Sequence, residues 1–245
     1  MSYQSQVNDE ENPHNENALK RSLSEITDTS VRLGFIRKVF GIVSFQLLIT
    51  IAWTILMMYS PGMVSWVLNN YWIIWVDLVL ILVIEILVIC VRSIGRRSPH
   101  NYICLTIFTL GFSLMVGCCA AVSDPKIVFM AAVMTLFITL ALTTYAYYTK
   151  TDLTYCGGFL CIFGMTLMLF GMFMWWGQCS TMNIIYSCLG VIFYGFFLIY
   201  DTQLLMGGSR RYKLDIDDYV VAAMMIYIDI IGIFLELLSL LGGKN

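Results

Sequence analysis

Seven apolar runs, each about as long as a bilayer is thick, recur along this chain with only short links between them. A helix rises 1.5 Å per residue, so about 20 residues cross ~30 Å of hydrocarbon. The runs fall at about 38–59, 71–91, 103–122, 128–148, 155–176, 182–204 and 219–241. Turn formers punctuate the links: Ser60-Pro61-Gly62, Arg97-Ser98-Pro99, Ser123-Asp124-Pro125 and Met206-Gly207-Gly208-Ser209. Hydrophobic residues make up 59% of the chain and charged residues 12%. A soluble domain carries about twice that charged share. The fold class this predicts is all-α, an integral membrane bundle of seven transmembrane helices.

Two regions follow. Residues 1–30 are rich in Asn, Gln, Ser and Glu and read as a disordered cytosolic N-terminal tail. The tail has neither the apolar core of a signal peptide nor the Arg-rich character of a presequence, so the first span is expected to act as the insertion signal. Residues 31–245 form the transmembrane domain. Charge bias orients it. Lys20, Arg21, Arg32, Arg37, Lys38, Arg92, Arg96, Arg97, Lys150, Arg210, Arg211 and Lys213 fall on one side of the seven spans, and only Lys126 and Lys244 on the other. Positively charged loops stay in the cytosol. The N-terminus is therefore expected in the cytosol and the C-terminus on the opposite side, unless the last span re-enters.

Net charge is −2 and no basic stripe suits a phosphate backbone, so nucleic acid is not an expected partner. Most of the eight cysteines lie inside apolar runs, where cysteine acts as a small hydrophobe, and there are two histidines. A zinc site is not expected. Gly111, Gly117, Gly157, Gly158, Gly164 and Gly171 dot spans 3 and 5, which fits close helix packing or a hinge.

Acids inside the spans carry the most information, because an ionisable group in the membrane is costly. Span 2 holds Asp77 and Glu85, span 6 holds Asp201, and span 7 holds Asp229 and Glu236. No Lys or Arg lies well inside a span, so the interior suits cations or protons. At 100° per residue, Asp218, Asp229 and Glu236 fall on one helical face, a stripe of about 27 Å. Either the three have no common role or they line a cation path with Glu85. A hairpin with its midpoint near residue 215 would set Asp201 and Asp229 at similar depth. Two carboxyls in contact in a dry site would share a proton rather than both ionise. The alternative is that each bonds only its own neighbours.

Around these residues the chain resembles a known family. Ile199-Tyr200-Asp201-Thr202-Gln203-Leu204-Leu205-Met206-Gly207 is similar to the signature of the transmembrane Bax-inhibitor-motif (Bax inhibitor-1/Lifeguard) family, in its Lifeguard branch. Phe35-Ile36-Arg37-Lys38-Val39, Arg96-Arg97 with Leu105-Thr106-Ile107-Phe108-Thr109, and Ile226-Tyr227-Ile228-Asp229-Ile230-Ile231 resemble it too. The likeness covers about residues 31–242. It implies a seven-helix, proton-sensitive calcium leak that lowers stored calcium and restrains stress-induced cell death, in an endomembrane such as the endoplasmic reticulum or Golgi. It further implies that Asp201 and Asp229 are the proton-sharing gate, touched transiently by Ca²⁺ as the permeant ion, with no cofactor. Glu85 and Arg96 look like the acid and base of the second span, the base pairing with the aspartates in the closed form. Glu236 departs from the pattern, since relatives usually carry a neutral or aromatic residue there. Partners implied are calcium ions, protons, the lipid bilayer and apoptosis-regulating membrane proteins.

An enzyme fits less well. No span carries a His to serve a serine nucleophile, and the Gly-x-Gly-Asp context of a presenilin-type aspartyl protease is absent before Asp201. A retinal protein would need a span lysine. The remaining alternative is a non-conducting membrane scaffold that binds apoptosis regulators.

Overall fold

The computed structural model describes residues 13–174, 180–207 and 212–242, with side chains from residue 29 onward except 92, 93, 174 and 180. Residues 1–12 of the expected tail, Arg210, Arg211 and Lys244 lie outside the described residues, as do the side chains of Lys20, Arg21 and Arg92. Helices form all the regular structure among the described residues. In chain order they are α1 (Pro13–Tyr59), α2 (Pro61–Asn69), α3 (Trp72–Cys90), α4 (Arg92–Arg96), α5 (His100–Ala121), α6 (Pro125–Tyr148), α7 (Gly157–Met174), α8 (Ser180–Met206) and α9 (Tyr219–Gly242), with 3₁₀ turns at Leu153–Cys156 and Ile216–Asp218. Seven helical segments among them are long and apolar enough to cross a membrane, and they match the seven runs read from sequence. The chain is an all-α integral membrane bundle.

Local chemistry sets the breaks. Pro61 and Pro125 sit in the first turns of α2 and α6, where a missing N–H costs nothing. Asp124 caps α6 by accepting from the Lys126 N–H at 2.8 Å. Asp152 does the same for the turn before α7, accepting from Thr154 N at 3.0 Å. The helical backbone of α1 starts at Pro13 and so takes in much of the stretch expected to be a disordered tail. Its sequence there places Leu19, Leu23 and Ile26 at helical spacing. The link after Ser60-Pro61-Gly62 folds as α2 and tucks Val67 against Met57 and Cys118.

The last helix is the axis of the bundle. Of its apolar window, 72% is buried, against 17% for α3 and 11% for the segment containing α7. On one side α9 packs Ile226, Ile230, Ile233 and Leu237 with Val39 and Val43 of α1 and Leu198 and Leu205 of α8. On the other, Val220, Met224, Tyr227 and Ile231 meet Ile81, Ile84 and Val88 of α3 and Phe108 of α5. Buried hydroxyls stitch α1, α5 and α9 together: Thr50 Oγ1 lies 2.8 Å from Tyr227 Oη and 3.0 Å from Ser113 Oγ. Gln46 Nε2 donates to Thr109 Oγ1 at 2.9 Å.

Contacts at the helix ends show that the chain alternates direction. Arg32 reaches the end of α8, Asn101 Nδ2 donates to Tyr219 Oη at 2.7 Å, and Gln203 Nε2 donates to Thr151 O at 3.0 Å. These bonds gather the start of the membrane-crossing part of α1, the start of α5, the link before α7, the end of α8 and the start of α9 at one end. That end carries Arg32, Arg37, Lys38, Arg96, Arg97, Lys150 and Lys213, so the charge bias read from sequence is a property of the folded bundle. At the opposite end Ser187 Oγ donates to Ser239 Oγ at 2.9 Å. α9, about 36 Å long by helical rise, therefore runs the full depth beside α8 instead of re-entering.

Candidate functional site

Asp201 and Asp229 meet inside the bundle. The link after α8 doubles back, with Gly207 at φ +60° and Leu214 N donating to Leu204 O at 3.2 Å, and α9 then returns along α8. A φ of that sign favours glycine. The two aspartates are 4% and 3% exposed, among the most buried polar residues described. Their carboxyl groups lie within hydrogen-bonding reach of each other. The second oxygens, Asp201 Oδ1 and Asp229 Oδ2, are buried and have no partner. Ionised carboxylates only accept, so a bond between two of them requires a proton on one. Leu198, Leu205, Ile226, Ile230 and Ile233 belong to the apolar cluster on these same faces of α8 and α9, and two adjacent charges there would be costly.

The neighbouring Gln203 anchors this part of α8. Gln203 is fully buried; its Oε1 accepts from Leu153 N at 2.8 Å while its Nε2 donates to Thr151 O. It ties α8 to the link before α7. Sequence reading gave Gln203 no role, although a glutamine two residues from a membrane aspartate is itself a signal.

Arg96 is not beside the aspartates as the resemblance implied. It sits at the basic end, where Nε donates to Asp218 Oδ1 at 2.6 Å and Nη2 to Asp218 Oδ2 at 2.8 Å and Asp215 Oδ2 at 2.7 Å. These carboxylates, Asp218 above all, raise the guanidinium further above its usual range. The reason is local supply. The α8–α9 link brings its own acids to the mouth, and a guanidinium paired there keeps much of its hydration, whereas beside Asp229 it would lose it. By helical rise Asp218 stands about 16 Å from Asp229.

A second arginine, which sequence reading used only as a topological charge, holds the same link. Arg32 of α1 donates from Nε to Met206 O at 3.2 Å, from Nη1 to Leu214 O at 2.7 Å and from Nη2 to Leu204 O at 2.8 Å. It closes the C-terminal carbonyls of α8, the end of a helix that favours a cation, and lies over the Phe35 ring.

The predicted stripe of acids on α9 divides into three environments. Asp218 is taken by Arg96. Asp229 is taken by Asp201. Glu236 faces α8 beside Ser187, in space left by Gly190, where a Cβ would lie 2.6 Å from the carboxyl carbon. Between the last two, the Tyr194 ring lies flat on Gly232, where a Cβ would come within 2.5 Å. Tyr194 is within electrostatic reach of Asp229, Glu236 and Glu85. It is thus the aromatic partition along this face, and only the Gly232 position on α9 hints at it in sequence. Glu85 is half-buried on α3 and not bonded to the pair. Asp77, also on α3, lies against Gly111 of α5. Among the described residues no group of three or more His, Cys, Asp or Glu side chains could hold a metal ion.

Known proteins share this chain's pattern. The family model described as "Inhibitor of apoptosis-promoting Bax1" matches residues 32–245. Protein lifeguard 3 of Homo sapiens is 33% identical over 225 residues, covering 90% of this chain and 72% of that protein. Protein lifeguard 3 of Mus musculus is 33% identical over 230 residues with the same coverage. Protein LIFEGUARD 4 of Arabidopsis thaliana is 33% identical over 228 residues, covering 86% of this chain and 85% of its own. Among the described residues, every helix except residues 13–31 of α1 falls inside the matched region, as do both aspartates, and the chain belongs to the Bax-inhibitor/Lifeguard family of membrane proteins.

Proposed function

We propose that this protein is a pH-sensitive calcium leak, and that through stored calcium it restrains stress-induced cell death. The observation that carries the reading is the Asp201–Asp229 carboxyl pair, buried where α8 packs on the central helix α9. One shared proton holds α8 to α9. Losing it sets two negative charges in contact, and their repulsion loosens the helix pair. Carboxylate oxygens freed in this way are the ligands Ca²⁺ prefers. Because Arg96 does not touch the pair, its contact is not broken by protonation, and flux should rise as pH rises through the range where the proton is lost. Arg96 acts at a distance by holding the α8–α9 link through Asp215 and Asp218. Glu85 and Glu236, both within electrostatic reach of Tyr194, extend the acidic path. The basic end faces the cytosol and the C-terminus the lumen of an endomembrane, following the positive-inside rule.

Purified protein in liposomes loaded with a calcium dye tests the reading. A calcium leak above empty vesicles, without matching chloride flux, is expected. Equal anion and cation flux would remove the acidic path. No flux at any pH would favour a scaffold that acts only through apoptosis-regulating partners.

A further inference from the structure

Outside the bundle core, α1 and α5 enclose a cleft of about 420 Å³ at the basic end. That volume falls within the ~300–1,000 Å³ range of small-molecule sites. Its mouth carries Arg37, Lys38 and Tyr102; its length is walled by Gly41, Phe45 and Thr106. All six side chains or positions are exposed, so the cleft opens outward, onto the face a bilayer would cover. Its inner wall is closed by the buried Gln46–Thr109 hydrogen bond. The chemistry is graded along the helices. Lys38 is partly committed to the Tyr219 ring, 3.1 Å from its Nζ, which leaves the exposed Arg37 guanidinium as the main charge at the mouth. Below it come apolar and hydroxyl groups and the buried Gln46 amide, with no further charge, over the ~18 Å of helix from residue 37 to residue 49. At Gly41 an added Cβ would meet nothing within 4 Å, so the groove is open where a chain would lie.

We propose that this cleft is a binding site for an anionic phospholipid of the leaflet at the basic end, its phosphate on Arg37 and Lys38 and one acyl chain along Gly41, Phe45 and Ile49. A cationic mouth over an apolar groove matches the two halves of that molecule, and basic pockets between helices at a membrane surface select anionic headgroups. Arg37 supplies a fork of donors suited to phosphate. A zwitterionic lipid would fill the groove but gain less at the mouth.

Native mass spectrometry of the full chain, delipidated and then offered phosphatidylglycerol or phosphatidylcholine of identical chains, tests the site. The wild type should retain one phosphatidylglycerol in preference to phosphatidylcholine. Arg37→Gln should reduce that preference by about fivefold, the share of one surface basic residue. Gly41→Phe fills the groove and should abolish retention of both lipids at this site. Lys126→Gln, at the opposite end, should change nothing, and inorganic phosphate should not displace the lipid. Equal retention of the two lipids, or retention untouched by both Arg37→Gln and Gly41→Phe, would overturn the proposal and leave adventitious annular lipid only. No ion flux enters this test, so its outcome is separate from that of the calcium reading.

Discussion

Single side chains decide how the α8–α9 link is held, and here the sequence was least legible. Arg32 and Arg96 both register in sequence as cytosolic charges, and nothing in their spacing says what they bind. Their partners are backbone carbonyls and link acids more than 100 residues away, which only the return of α9 brings near. The structure separates their roles. Arg32→Ala removes two bonds to carbonyls at the end of α8 and one to Leu214 O in the link, and should cost about 1–3 kcal/mol, the range for leaving such groups unpaired. Arg32→Lys should recover little, because a point charge cannot span three acceptors. Thermal unfolding in detergent checks the cost, and hydrogen exchange at 204–214 should accelerate in both variants. Unchanged exchange there would remove Arg32 from this role. Arg96→Gln should raise the calcium leak at every pH without changing the shape of the pH profile, since Arg96 grips the mouth and not the carboxyl pair. A changed shape would return Arg96 to the gate itself.

At the scale of helices, the pairing of α8 with α9 rests on two glycines that differ in what they accommodate. Gly232 faces the Tyr194 ring, which is partly buried against the edge of Phe193. Gly190 faces the end of the Glu236 side chain, which can swing aside. Gly232→Ala should therefore destabilise by about 1–3 kcal/mol, the cost of overpacking a tight contact, and Gly190→Ala by less. Replacing Tyr194 with Leu should recover part of the Gly232→Ala loss, as contacting residues are not additive. Thermal midpoints of the four variants decide it; equal losses at both glycines would mean the helices shift apart to absorb either methyl group. Element existence was readable in advance because apolar runs of membrane length have few other uses, and the 215-centred symmetry of Asp201 and Asp229 put them at similar depth while leaving open whether they touch. What periodicity could not supply was the face each acid presents. The stripe on α9 is real as a helical face, yet its members meet α4, α8 and α8 again, with an aromatic ring between the last two.

For the molecule as a whole, the ends of the bundle are set by bonds that join elements distant in sequence, and the basic residues collect at one of them. Cysteine labelling of sealed vesicles, at single cysteines replacing Lys213 and Lys126, should modify the first from the cytosolic side only and the second from the lumenal side only. Labelling of both from one side would break the seven-crossing arrangement. The central claim is narrower: the Asp201–Asp229 pair titrates as one unit and sets how firmly α8 and α9 close. The most direct measurement is calcium flux in liposomes between about pH 6 and 8, the range in which a carboxyl in a dry site can exchange its proton. The wild type should leak more as pH rises. Asp201→Asn and Asp229→Asn keep the shape of the side chain without the titration, so each should flatten the profile, and the double variant should do little more than either. Asp77→Asn, against Gly111 on the α3–α5 side, should keep the wild-type slope. A full wild-type pH profile in both single variants would contradict the shared-proton gate, even in a protein that still leaks calcium.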